Sequence, residues 1–233
     1  MMLSSRLHSS LAFSTTTLGD ATRASQVGAS RARDVATDLF ARLTVGLLFA
    51  LLSLNMMGDF VRTHRLTGLL LLVSEALVAV LTIVRRRTRI VDRSPGAAVV
   101  TMISVVGPAL LRSAEGAGVF PDTLTALVSV VGLLAVIAGK ITLGRSFGIA
   151  PANRGVVVAG PYALVRHPIY TGYLITHLAF AFAYPTPWNI AILLATDVAL
   201  VMRALCEERV LAADRTYQTY CRRVAWHLVP GVF

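Results

Sequence analysis

Several apolar runs constrain this chain most, each close to the ~20 residues that carry a helix across about 30 Å of hydrocarbon. Leu39 to Val61 is the first and Leu66 to Val84 the second. A third reaches from Pro95 to about Leu111. Ser94 is placed to cap it, and Pro95 takes the first-turn position, where a missing N–H costs nothing. Pro108 is expected to kink this run. The fourth extends from about Thr123 to Leu143. Two further stretches, 168–184 and 188–206, flank Pro185-Thr186-Pro187. Two prolines so close stop a helix, so the pair reads as a helical hairpin with its tip at the prolines. One soluble core cannot hide this much apolar surface: 55% of the residues are hydrophobic and mean hydropathy is +0.69. Charged residues make up 15%, against about a quarter in soluble domains. The expected fold is an all-α integral membrane bundle of about five to six transmembrane helices.

The formal net charge of +10 is almost wholly arginine, because Lys140 is the single lysine. The arginines lie between apolar runs and form no separate basic domain, so anionic lipid headgroups suit them and nucleic acid does not. Arg85, Arg86, Arg87, Arg89 and Arg93 form the densest basic cluster, which the positive-inside tendency assigns to the cytoplasm. The N-terminus, segment 144–167 and the tail from about Cys206 then fall on that side, giving a multi-pass protein with both termini cytoplasmic. Arg62 and Arg65, in the opposite connection, count against this scheme. Residues 1–36 are rich in Ser, Thr, Ala and Arg and hold no run long enough for a signal peptide. They read as a disordered cytoplasmic tail, and 37–233 as one transmembrane domain without internal repeats. Cys206 and Cys221 make no metal-ligand pattern; they are expected to be free thiols, and no metal is expected.

Glu75, Lys140 and Asp197 fall within or near the apolar runs. A charge at membrane depth costs at least ~2.5 kcal/mol, so each needs a partner or a way out. Snorkelling to the nearby interface is expected of Lys140, and interhelical hydrogen bonds of Glu75 and Asp197.

The chemistry is concentrated after Leu143. Pro168 is a natural first helical residue and biases His167 to an extended conformation. The chain would enter the membrane there with free N–H groups facing the cytoplasm, an arrangement that attracts an anion such as a carboxylate. An ordinary interfacial helix start, with Arg166 on headgroups and Tyr170 and Tyr173 in the aromatic belt, explains the same residues equally well. Arg203 and Glu207 are four apart and share a helix face, while Glu208 lies about 100° around. Either an acidic binding group or a plain ion pair accounts for that spacing.

Taken together, Gly160-x-Tyr162, Arg166-His167-Pro168-x-Tyr170-x-Gly172, Arg203-x3-Glu207-Glu208-x2-Leu211, Tyr217-x2-Tyr220 and Pro230 resemble the isoprenylcysteine carboxyl methyltransferase family. Phospholipid N-methyltransferases share much of the signature. The resemblance covers about residues 140–233. It implies a helical bundle with S-adenosylmethionine in a cytoplasmic pocket and a prenylated or other lipid-like substrate entering from the bilayer. By the same resemblance His167, Pro168, Ile169 and Tyr170 lie against the cofactor and Tyr162 lines its pocket. Arg154, Gly155, Val156 and Val157 wrap it through backbone, although the family often has His where this chain has Arg154. Glu207 is implied to bind cofactor, and Arg203 to face the substrate carboxylate as the catalytic orienting group.

A carboxylate nucleophile, with a reference pKa near 4, needs no general base at neutral pH; an amine must first lose a proton. Membrane sterol reductases that use NADPH share the Arg-His-Pro-x-Tyr-x-Gly element. They carry Arg-Asp and Lys-Tyr-Gly where this chain has Glu207-Glu208 and Asp214-Arg215-Thr216-Tyr217. A non-catalytic membrane scaffold is the third reading, and it predicts no small-molecule binding.

Overall fold

The computed structural model describes residues 35–232 apart from 37, 41, 48, 52, 55, 56, 58–60, 62–65, 89 and 113–117. The side chains of 66–72 and Glu75 also lie outside the described residues. So do most of the expected tail, Arg62, Arg65 and Arg89. The chain divides into two compact units, Met1–Thr44 and Val45–Phe233. In that first unit the described positions from Val35 onward are helical, and Asp38 pairs with Arg42 at 2.8 Å one turn on.

In the second unit the described positions up to Val61 are helical. Six helices follow: α1 (Leu66–Val84), α2 (Pro95–Val106), α3 (Asp122–Leu143), α4 (Pro168–Ala183), α5 (Pro187–Leu211) and α6 (Arg215–Arg223). Among the described residues there is no strand, only an isolated bridge between Val91 and Ala152. Local chemistry sets the ends. Ser94 Oγ accepts from Ala97 N with Pro95 in the first turn of α2, as expected. Pro108 does more than kink this run. It ends the α-helix, and Gly107–Leu110 continues as a 3₁₀ turn packed against Thr196 of α5. At the hairpin Thr186 caps α5 by accepting from Asn189 N, and Pro187 follows at the first helical position.

α5 runs to Leu211, past the expected end near Cys206. The Arg203–Glu207 pair, one turn apart, supports the added turns. These acidic residues therefore stand on the helix, as the shared face of Arg203 and Glu207 requires.

Two helices among the described residues, Asp122–Ser146 and Pro187–Leu211, are long and apolar enough to cross a bilayer, and Pro95–Leu110 is a shorter apolar helix. Their outward faces agree with lipid contact. Leu127, Val131, Leu134 and Ile141 of α3 are exposed, as are Leu194, Val198, Met202 and Leu205 of α5. A helix of a soluble domain would turn polar residues outward at that three-to-four spacing.

α3 is central, packed on α1 and on α4, while α5 packs on α2 and α4. The α3–α4 contact is glycine-mediated: a Cβ on Gly172 would stand 2.6 Å from Gly132 O and 2.9 Å from Val136 N. Close backbone approach of this kind is how helices associate where hydrophobic burial gives no drive. Val78, Leu81, Val136, Phe147, Ile169, Tyr170, Leu200, Ala204 and Leu228 form the core around it.

Two charged groups within the runs have defined settings. Asp197 meets the interhelical expectation, its Oδ1 lying 2.5 Å from His177 Nδ1 across the α4–α5 hairpin. Lys140 departs from expectation. Its side chain turns inward, 0% exposed, and Nζ donates to Ser74 O at 2.9 Å and Ser74 Oγ at 2.7 Å. Gly139 beside it lets α4 approach closely enough that Ile169 closes that face of α3, which removes the route to the surface.

Candidate functional site

The hairpin brings the start of α4 and the end of α5 to one end of the unit, where four of the sequence-selected residues meet. Tyr170 donates its hydroxyl hydrogen bond to Glu207 Oε1. Arg203 Nε lies 3.5 Å from that same oxygen, and its guanidinium stands 5.2 Å from the Tyr170 ring centroid. His167 stacks on Tyr170 with centroids 5.5 Å apart and planes 6° from parallel. His167 Nδ1 is 3.9 Å from Glu207 Oε2, beyond hydrogen-bond reach. That oxygen has no hydrogen-bond partner among the described residues, and Glu207 is only half-buried.

Arg203 is under-satisfied. It is 7% exposed, yet among the described residues its single hydrogen bond is from Nη1 to Ser104 Oγ at 3.4 Å, and Nε is buried without one. A buried guanidinium with free donors is costly unless another acceptor meets it.

Glu208 faces elsewhere, as the 100° step requires. His167 Nε2 is 3.0 Å and His227 Nδ1 2.6 Å from Glu208 Oε1, and Arg166 Nη1 is 3.4 Å from Oε2. Arg166 also donates from Nε to Val224 O at 2.8 Å and from Nη2 to Cys221 O at 3.3 Å. Backbone bonds from Arg166 N to Trp226 O and His167 N to His227 O, both 2.9 Å, complete a strap that seats 224–228 on the Arg-His-Pro corner. This cluster explains why His167 has a fixed ring orientation. Sequence reading missed His227, because a lone histidine in an irregular segment carries no spacing signal. The ligand atoms of His167, Glu208 and His227 lie within 4.8 Å of one another, close enough for one cation to bridge them. Arg166 Nη1 is also 3.4 Å from His227 Nε2. A fixed positive charge there opposes a second one, so the group reads as a hydrogen-bonded carboxylate.

The start of α4 is less open to an anion than its sequence suggests. Tyr170 N and Thr171 N both donate to His167 O at 3.0 Å, and Ile169 packs on Gly139. Pro168, Ile169 and Tyr170 are buried.

The remaining residues come from the segment before the corner. Tyr162 is buried in a 3₁₀ turn, Gly160–Ala163, and Tyr220 donates to its carbonyl at 2.7 Å. Burial, and after it the nearby Glu207, push the Tyr162 phenol well above its ordinary value, so it stays a neutral hydroxyl. Burial likewise pushes Tyr220 up to about 12. Arg154 points into its own loop, with Nη1 3.3 Å from Ala150 O and the guanidinium lying over Gly148. Gly155 follows at φ +103°, a conformation favouring glycine, and is exposed. Val156 packs on Tyr217, Tyr220 and Val224, and Val157 is half-buried.

This loop is tied to α6 through Asp214, which accepts from Asn153 Nδ2 at 2.9 Å and caps the helix at Thr216 N at 2.8 Å. The Asn153 bond foremost, then the Thr216 N–H, hold the Asp214 carboxyl below its ordinary range. A carboxyl depressed in the folded state stabilises fully above its unfolded pKa, and the contribution is lost as pH falls through the depressed value. Amide exchange at 153–155 and 215–217, corrected for intrinsic rates, should therefore accelerate below about pH 4. Asp214→Asn should remove that step. A pH-independent profile in the wild-type chain would contradict this.

Residues 117–219 match the model of the phospholipid methyltransferase family, the family that includes isoprenylcysteine carboxyl methyltransferases. The match takes in α3, α4, α5 and the Arg-His-Pro and twin-glutamate motifs, so the resemblance read from those motifs holds at the level of the family. No curated protein matches the chain.

Proposed function

We propose that this chain, which carries a phospholipid methyltransferase family segment, transfers a methyl group from S-adenosylmethionine to a lipid-like acceptor that enters from the bilayer at the cytoplasmic face. The observation that carries the reading is the joining of His167, Tyr170, Arg203 and Glu207 in one group at the foot of the hairpin. The donor set fits the cofactor. Glu207 Oε2 accepts no hydrogen bond among the described residues and its side chain is 21% exposed, suited to accept from a ribose hydroxyl or an ammonium. Support also comes from the neighbouring segment, where Val156 packs on Tyr220 and Tyr220 donates to the Tyr162 carbonyl.

When bound, S-adenosylmethionine supplies an electrophilic methyl on a sulfonium. The protein's own task is then to position, which can lower such a barrier by several kcal/mol. Glu208 and Arg166 fix the His167 ring, which stacks on Tyr170. Tyr170 and Arg203 in turn hold one oxygen of Glu207 and leave the other for ligand. The free donors of Arg203 favour a carboxylate acceptor, which they would orient by charge-assisted hydrogen bonds. Carboxyl O-methylation of a prenylcysteine-type acid is therefore the preferred reaction. Methylation of a phospholipid amine is the second reading, favoured by the description of the matching family. It requires a base, for which Glu207 is the nearest candidate.

Titration of detergent-purified protein with S-adenosylhomocysteine and with NADPH tests the class. Saturable binding of the first is expected, weakened about 10-fold in Tyr170→Phe through loss of one hydrogen bond to a charged group. Binding of NADPH alone would point to a reductase, and binding of neither to a scaffold. Either result would overturn the proposal. A labelled methyl-donor assay on membrane extract then identifies the acceptor as ester or amine.

A further inference from the structure

We propose that His227 is a positioning residue of the cofactor site, acting through Glu208 and the His167 ring to keep Glu207 Oε2 open. The inference rests on the methyltransferase reading and deepens it. His227 lies beyond residues 117–219, the segment that matches the family. Its backbone and side chain bracket His167 from two sides. His227 O accepts from His167 N at 2.9 Å, and His227 Nδ1 and His167 Nε2 meet the same Glu208 oxygen, at 2.6 Å and 3.0 Å. A nitrogen and a carboxylate oxygen 2.6 Å apart need a proton between them, and an ionised carboxylate has none to give. The proton is therefore on Nδ1. Arg166 Nη1 stands 3.4 Å from the other ring nitrogen, Nε2, and arginine has donors only, so Nε2 offers its lone pair. Two separate contacts thus ask for one species, the neutral ring protonated at Nδ1.

The consequence falls on His167. Glu208 Oε1, held in place by His227, is the acceptor for His167 Nε2. The neutral His167 ring then carries its proton on Nε2 and turns a lone pair at Nδ1 toward Glu207 Oε2, 3.9 Å away. A lone pair facing a carboxylate oxygen gives no attraction, so that oxygen stays available to a ribose hydroxyl or an ammonium. Without the His227 contact, the described partners left to Glu208 are Arg166 at 3.4 Å and His167 itself. The His167 ring is then free to exchange Glu208 for Glu207, whose Oε2 it would occupy in place of ligand. The strap itself does not depend on the imidazole. Arg166 N to Trp226 O, His167 N to His227 O and Thr171 Oγ1 to Leu228 O all seat it through its own carbonyls. The His227 side chain is also 25% exposed, against 7% for His167, so trimming it leaves little buried space empty. It bears on the cofactor site more than on the fold.

The test is calorimetric titration of the purified full chain with S-adenosylhomocysteine at pH 8, with thermal unfolding of the unliganded protein alongside. His227→Ala should weaken binding about 10-fold, while the melting temperature falls by no more than about 2 °C. His227→Asn puts an amide nitrogen where Nδ1 stands and should restore most of the affinity. His167→Phe has no ring nitrogen to turn to Glu207, so adding His227→Ala to it should cost nothing further. Unchanged affinity in His227→Ala, no rescue by asparagine, or a second full loss on top of His167→Phe would each overturn the inference. So would a fall in melting temperature that tracks the loss of affinity. One measurement needs no variant to bind ligand: nitrogen-15 NMR of histidine-labelled wild type, the His227 signals being those missing from His227→Asn. They should show Nδ1 protonated and Nε2 bare, and the opposite tautomer would overturn the inference. Absence of S-adenosylhomocysteine binding in the wild type would instead count against the methyltransferase reading itself.

Discussion

Glu207→Gln is expected to weaken S-adenosylhomocysteine binding by about 100-fold, because a charge-assisted hydrogen bond to ligand contributes about 1.5–3 kcal/mol and the glutamine also disorders what remains. The carboxylate has two duties. Oε1 receives Tyr170 and faces Arg203, while Oε2, 3.9 Å from His167 Nδ1, is the oxygen the proposal leaves for ligand. Glutamine keeps the shape but strands the Arg203 guanidinium, which is 7% exposed, and breaking a buried pair in this way costs about 3–5 kcal/mol. A fall in both melting temperature and affinity would therefore be ambiguous. Adding Arg203→Met separates them. The double variant no longer buries an unpaired charge, so its thermal stability should return most of the way to wild type while cofactor affinity stays low. Recovery of both together would mean that Glu207 acts only through the fold.

The second large effect is structural. Gly172→Ala is expected to cost about 3 kcal/mol or more and to abolish monodisperse protein in detergent. The added methyl would meet Gly132 O at 2.6 Å, Val136 Cγ2 at 2.7 Å and Val136 N at 2.9 Å. Two of these atoms are α3 backbone and cannot swing aside as a flexible side chain would. The helices must separate, and Tyr170, half a turn earlier on α4, moves with them. Gly96→Ala is the control. Nothing lies within 4 Å of the position its Cβ would take near the start of α2, so it should be neutral or stabilise by at most about 1 kcal/mol. Thermal unfolding of the two variants in one detergent checks both. Equal melting temperatures would show that the α3–α4 contact is looser than these distances imply.

How much of this was legible beforehand differs by residue. The Ser94 and Pro95 start, the hairpin tip and the Asp197 hydrogen bond follow from local rules of capping, proline geometry and polar burial, and all are found. Hydropathy bounds the apolar stretch at 206, whereas the helix itself runs on to Leu211. Helix continuation is decided by propensity and the Arg203–Glu207 pair, to which hydropathy is blind. Lys140 was assigned to the interface for the same reason: a residue near a helix end can snorkel only if its own face is open, and α1 and α4 close it. The meeting of Tyr170 with Glu207 was legible because one hairpin connects them. The Arg166–Glu208–His227 strap was not, since it joins segments far apart in sequence with no repeating pattern to announce it.

The central claim is that Glu207 and Tyr170 border a cofactor site. A structure of the full chain in nanodiscs with S-adenosylhomocysteine tests it most directly. The account predicts ligand density at the foot of the α4–α5 hairpin, with a ribose hydroxyl or the amino group within hydrogen-bond distance of Glu207 Oε2. Ligand bound at another end of the unit, with Glu207 and Tyr170 still closed on each other, would contradict it.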